Sequence, residues 1–140
     1  MAKRVQITFD ATDPHALAAW WAARLEMEVE DNSPLVQQLL DAGIITDADT
    51  LRVGDRLYFA DAVAAADPDG QAPRMLFQRV PEGKIAKNRV HLDVPAPAET
   101  LDDEVAAWVA TGASLQHFAS HPGHRWAVMH DPEGNEFCLH

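Results

Sequence analysis

Apolar and polar residues alternate along positions 4–10, where Val5, Ile7 and Phe9 are apolar and Gln6, Thr8 and Asp10 polar, which is the period of a half-buried strand. Thr12-Asp13-Pro14 then reads as a helix start, with Asp13 able to cap and Pro14 suited to the first helical position. Leu17, Trp20, Trp21 and Leu25 supply one apolar helical face in an alanine-rich background. The same grammar returns at 89–94, with Val90, Leu92 and Val94 on one face and His91 and Asp93 on the other. A second helix follows, marked by Leu101, Val105, Trp108 and Val109, with Thr100 as its cap, acids at 102–104 in its first turn and Gly112 at its end.

Three strands are expected after it, at 114–118, 126–130 and 136–140, the last two joined by the turn Asp131-Pro132-Glu133-Gly134-Asn135. For the first half, strands are expected at 27–30, 56–60 and 74–80, and an extra short helix at 33–42. The alanine-rich stretch 62–68 reads equally as a strand end or a helical turn. Lys84, Lys87 and Arg89 form a cationic cluster in or beside the link at 81–87, read either as solvated linker or as a contact to an anionic ligand.

At 140 residues the chain has the length of a single domain that needs no metal or disulfide to fold. Its 22 acidic residues against 11 basic ones, a formal charge of -11, make a phosphate backbone or an anionic membrane a poor partner. The single cysteine, Cys138, excludes an internal disulfide and Cys-rich zinc motifs, and suits a cytoplasmic location. No apolar run approaches the ~18 residues of a membrane span, and no secretion signal is visible.

Strand parity places Gln6, Thr8, His91 and Asp93 opposite the apolar rows that receive the helices. In the last strand Phe137 and Leu139 face a helix, while Glu136, Cys138 and His140 face away. Amide, hydroxyl, imidazole, carboxylate and thiol groups on one sheet face suit the wall of a binding site.

The paired grammar, Asp13-Pro14, the segment Asn88-Arg89-Val90-His91-Leu92-Asp93-Val94 and the ending Asp131-Pro132-Glu133-Gly134-Asn135-Glu136-Phe137-Cys138-Leu139 resemble the vicinal oxygen chelate superfamily, in its glyoxalase/bleomycin-resistance/dioxygenase branch. The resemblance covers nearly the whole chain apart from an insertion at about 31–55. It implies an α+β fold: two βαβββ modules, 1–80 and 88–140, whose mixed sheet closes partly into a barrel with helices on the outer face, as one domain over 1–140. It also implies a homodimer.

Metal-dependent members place four ligands on the first and last strands of the modules. Carried over by position, these are Gln6, Gln78, His91 and Cys138; Glu136 lies two residues short of the position of the family's glutamate, which Cys138 occupies. Two amides, one imidazole and one thiol make a poor set for an oxygen-preferring cation, so no cofactor is expected. The leading expectation is a metal-independent protein that binds a small organic molecule through Gln6, Thr8, Gln78, His91, Asp93 and Cys138. The alternative is a metal-dependent lyase, isomerase or oxygenase acting through His91, or acid–base catalysis by His91 with Asp93. A third reading is an accessory domain whose cavity has closed over.

His117, His121, His124 and His130 match no zinc signature and read as polar residues that rim the cavity. Trp20, Trp21 and Trp108 read as core. Cys138 reads as a packed thiol rather than a nucleophile, because no base is positioned by the sequence.

Overall fold

In the computed structural model, which describes residues 1–140, β1 (Ile7–Ala11) runs into α1 (Pro14–Arg24). The Asp13 carboxylate accepts the Ala16 N–H at 3.1 Å and so satisfies one of the open donors of the helix start. Leu17, Ala18, Trp21 and Ala22 form the buried face of α1, and the Trp21 ring packs 5.6 Å from Phe9. Trp20 stands edge-on to Trp21 and is only half-buried.

β2 (Glu28–Val29) is followed by α2 (Ser33–Asp41), a 3-10 turn, and the hairpin β3 (Thr50–Val53) and β4 (Arg56–Phe59). β5 (Ala62–Ala66) and β6 (Met75–Arg79) complete a sheet of order β1-β6-β5-β2, with β1 parallel to β6 and the other pairs antiparallel.

Two expectations change here. The strand at 56–60 forms, but it pairs with β3 inside the insertion and not with the main sheet. Its place is taken by β5, the alanine-rich segment. The central residues Val63, Ala64 and Ala65 are all buried, so no alternation marks the strand, and their small side chains suit close packing under the alanine-rich α1.

The second module repeats the topology. β7 (Leu92–Val94), α3 (Leu101–Val109), β8 (Ser114–His121), β9 (His124–His130) and β10 (Glu136–Leu139) build a sheet of order β7-β10-β9-β8, again with the first strand parallel to the last. Under α3 lie Ala127, Met129, Phe137 and Leu139, with Trp108 5.1 Å from Phe137. This α+β architecture of two βαβββ modules is divided into compact units Met1–Glu82 and Gly83–His140.

Both alternating segments begin their strands later than the pattern does. β1 starts at Ile7, leaving Val5 68 % exposed, and β7 starts at Leu92, leaving Val90 82 % exposed. Each depends on a partner that has not yet begun: Pro73, which has no N–H, precedes β6, and the 131–135 turn precedes β10. Thr100 does not cap α3, and its hydroxyl donates to the Pro97 carbonyl instead.

The 131–135 turn is built on the buried Asp131, whose Oδ1 accepts the N–H groups of Glu133 and Asn135 while Oδ2 accepts from the Asn135 amide. Gly134 sits there at φ 85°, a conformation that side chains disfavour.

Candidate functional site

In the second unit the sheet face opposite α3 lines an open cavity of about 560 Å³. Its wall is one set of alternating positions read across four strands: Asp93 on β7, Glu136 and Cys138 on β10, Trp126 and Val128 on β9, and His117, Ala119 and His121 on β8. Register makes the row explicit, since His117 pairs with Val128, Val128 with Cys138, and Cys138 with Asp93. His91, His124, His140 and Lys87 complete the lining.

A bulge decides which β8 residues join this wall. Leu115 pairs with the buried Met129 on the helix side, and the shift at Gln116 puts His117 opposite Val128. Without that extra residue the parity of β8 would reverse, and His117, Ala119 and His121 would point to the helix side. The histidines expected at the rim therefore include His117, His121 and His124 in the lining. His130 lies outside it, with Nδ1 3.0 Å from the Gln116 amide nitrogen and Nε2 3.8 Å from Glu136.

One end of the cavity is aromatic and the other polar. His124 stacks on Trp126 at 5.3 Å, His121 lies tilted on the same indole at 5.3 Å, and His140 meets His124 edge-on at 5.4 Å. At the polar end His91 Nε2 lies 3.2 Å from Asp93 Oδ1, and His140 Nε2 lies 3.7 Å from Asp93 Oδ2. One ligand atom each of His91, Asp93 and Cys138 falls within 4.8 Å of the others. His140 shares the parity of Cys138, but its pairing with Asp93 depends on strand register, which alternation does not reveal.

Burial pushes the Cys138 thiol above its ordinary pKa, and the Asp93 carboxylate adds to the rise. A raised thiol pKa disfavours the free thiolate, the form that acts as a nucleophile. Glu136 moves the other way. Burial alone would raise its pKa, but the Asn88 N–H at 2.9 Å and the Lys84 ammonium at 3.0 Å outweigh it and hold the carboxyl at about 2. Of the cationic cluster, Lys84 is thus an internal partner of Glu136, while Lys87 reaches the cavity.

In the first unit the two carried-over amides do not come together. Gln6 precedes β1, where its Oε1 accepts from Arg74 at 2.6 Å, and Gln78 pairs with Asp10 and donates to that carboxylate at 2.9 Å. Asp10 is four residues beyond Gln6, a separation of ~13 Å along a strand. Thr8 is exposed on β1, with its hydroxyl 3.5 Å from the Gln6 amide. Neither amide is free to serve as one of four converging ligands, so the residues present do not fit the metal centre of metal-dependent relatives. Gln6 instead lines a separate open cavity of about 500 Å³ with Arg4 and Arg74. Arg74 there is held by Glu30 in a two-pronged contact, both bonds at 2.7 Å.

A family model described as "Glyoxalase-like domain" matches residues 6–140. A search of curated proteins finds no match. Among solved structures, a mutant of the fosfomycin resistance protein FosX from Listeria monocytogenes, complexed with Mn(II) and 1S,2S-dihydroxypropylphosphonic acid, superposes with a TM-score of 0.64 at 12% identity, covering 100% of this chain and 90% of that one. A glyoxalase/bleomycin resistance protein/dioxygenase family enzyme from Burkholderia phytofirmans PsJN gives 0.60 at 15% identity, over 96% and 94% of the two chains. The hypothetical protein SA1046 from S. aureus gives 0.62 at 13%, over 99% and 93%. Likeness at such identities speaks for the fold, and the family match speaks for descent: the chain belongs to the glyoxalase-like domain family of the vicinal oxygen chelate superfamily.

Proposed function

We propose that this protein binds a small organic molecule in the cavity of its second unit, without the four-ligand metal centre of metal-dependent relatives. The observation that carries the reading is the cavity itself. Its volume of about 560 Å³ falls within the range of small-molecule sites, and an apolar strip of Ala119, Trp126 and Val128 adjoins a polar end at His91, Asp93 and His140. A flat, partly apolar ligand with one polar group fits that division: the rings of Trp126 and His124 receive its face, and the imidazoles its polar atoms. No helix is long and apolar enough to cross a membrane. The homodimer implied by the resemblance belongs to this proposal, and a sedimentation mass of 15.4 kDa at micromolar concentration would remove that part.

The test uses 1-anilinonaphthalene-8-sulfonate, an aromatic anion whose fluorescence rises on leaving water. Saturable binding near one equivalent is expected, with loss of most of the signal in Trp126→Ala and in Val128→Arg. Binding that both variants leave unchanged would overturn the assignment of the cavity.

A further inference from the structure

We propose that His91, Asp93, Cys138 and His140 form a site for a thiolate-preferring divalent cation of the zinc class, held entirely by the second unit. Two of these donors, Asp93 and His140, lie outside the four positions that the family resemblance assigns. Its donors form the polar end of the cavity, so a bound cation would meet the polar atoms of an organic ligand in place of the bare imidazoles, and the site is testable with no such ligand present.

The argument begins with strand pairing. Cys138 and Asp93 are direct partners on parallel strands, so their side chains leave the sheet side by side on the cavity face. His140 continues the face of β10, and its backbone is fixed at both ends: its N–H donates to the Val94 carbonyl at 3.1 Å and its carbonyl accepts the Ala96 N–H at 2.7 Å. Asp93 stands between two imidazoles, with one oxygen toward His91 at 3.2 Å and the other toward His140 at 3.7 Å.

The two contacts of Asp93 have the spacing that a shared metal needs. Bonds of ~2.0–2.3 Å in a tetrahedron put neighbouring ligand atoms ~3.3–3.7 Å apart. The three atoms of His91, Asp93 and Cys138 lie within 4.8 Å of one another, so at most about 1–1.5 Å has to close to reach that spacing, and the exposed imidazole and carboxylate can turn to close it. An imidazole–carboxylate contact alone would need no thiol beside it. With Cys138 included, the three converging donors are one nitrogen, one oxygen and one sulfur, and His140, 3.7 Å from Asp93, supplies a second nitrogen once its ring turns inward; such a set selects zinc over magnesium or manganese. The ring of His124 packs edge-on against His140 at 5.4 Å and limits where that imidazole can turn.

The test is a cobalt(II) titration of the full chain, freed of any affinity tag and stripped with EDTA. One equivalent is expected to produce the visible absorption of tetrahedral cobalt together with a near-ultraviolet thiolate-to-cobalt band, and one equivalent of zinc should bleach both. Cys138→Ser should lose the near-ultraviolet band, and His91→Ala and Asp93→Asn should weaken binding at least about tenfold. His15→Ala, in the other unit, should bind as the parent does. Far-ultraviolet circular dichroism identifies any variant that fails to fold, and the parent titration stands without the variants. Absence of the thiolate band in the parent at one equivalent, its persistence in folded Cys138→Ser, or displacement of cobalt by magnesium or manganese as readily as by zinc would each overturn the proposal.

Discussion

Glu136→Gln gives a quantitative test of how the second unit is held together. The wild-type carboxylate accepts from the Asn88 N–H and from Lys84, tying the segment before β7 to the first residue of β10. Its pKa of about 2, against an ordinary 4.5, corresponds at ~1.4 kcal/mol per tenfold to an upper value of about 3.5 kcal/mol of stabilisation. The side chain keeps 13 % exposure, so solvent trims this modestly, and about 2–3 kcal/mol is expected.

The sign follows from the lowered pKa. The folded state holds the charged form more tightly than the unfolded chain does, so the contribution is complete above about pH 4.5 and lost as the pH falls through about 2. Glutamine keeps an acceptor for Asn88 but is neutral throughout. Urea unfolding of the two proteins across this range, with equal m-values, should therefore show a gap of about 2–3 kcal/mol near neutral pH that narrows steadily below about pH 4.5. A gap under about 0.5 kcal/mol near neutral pH, or one that stays constant down to about pH 2.5, would refute the reasoning. Lys84→Met should itself cost part of the same stability and be non-additive with Glu136→Gln, because the two side chains share one interaction.

Two further outcomes test the frame around the site. Asp131→Ala removes three hydrogen bonds from a buried turn and leaves the Glu133 and Asn135 N–H groups without that acceptor, for an expected loss of about 2–3 kcal/mol in urea midpoint analysis. Trp21→Ala empties the space between α1 and Phe9 in the first unit, and about 3–5 kcal/mol should be lost, read from thermal or urea unfolding.

Much of this protein was legible in the order of its residues. Alternation at β1 and β7, the Asp13-Pro14 helix start and the Asp131–Asn135 turn are local signals, each caused by neighbours within a few positions; they marked where each module begins and where the second ends, and the family resemblance they carry supplied the rest of the two βαβββ modules. Parity also assigned Asp93, Cys138 and His140 to one sheet face, because side chains of a strand alternate whatever lies beside it.

What no local pattern holds is which residues become neighbours across strands. Gln78 faces Asp10 and Cys138 faces Asp93, so equivalent strands of the two modules pair in registers two residues apart relative to the matching segments 4–6 and 89–91. That offset separates Gln6 from Gln78 and brings Asp93 beside Cys138. The bulge at Gln116 turns three β8 positions into the cavity, and the buried, featureless β5 displaces β4 from the main sheet. Register, bulge and strand choice are settled by hydrogen bonding and packing between segments far apart in the chain. The residue types were therefore written in the sequence, while the polar cluster of His91, Asp93, Cys138 and His140 was assembled by the tertiary structure.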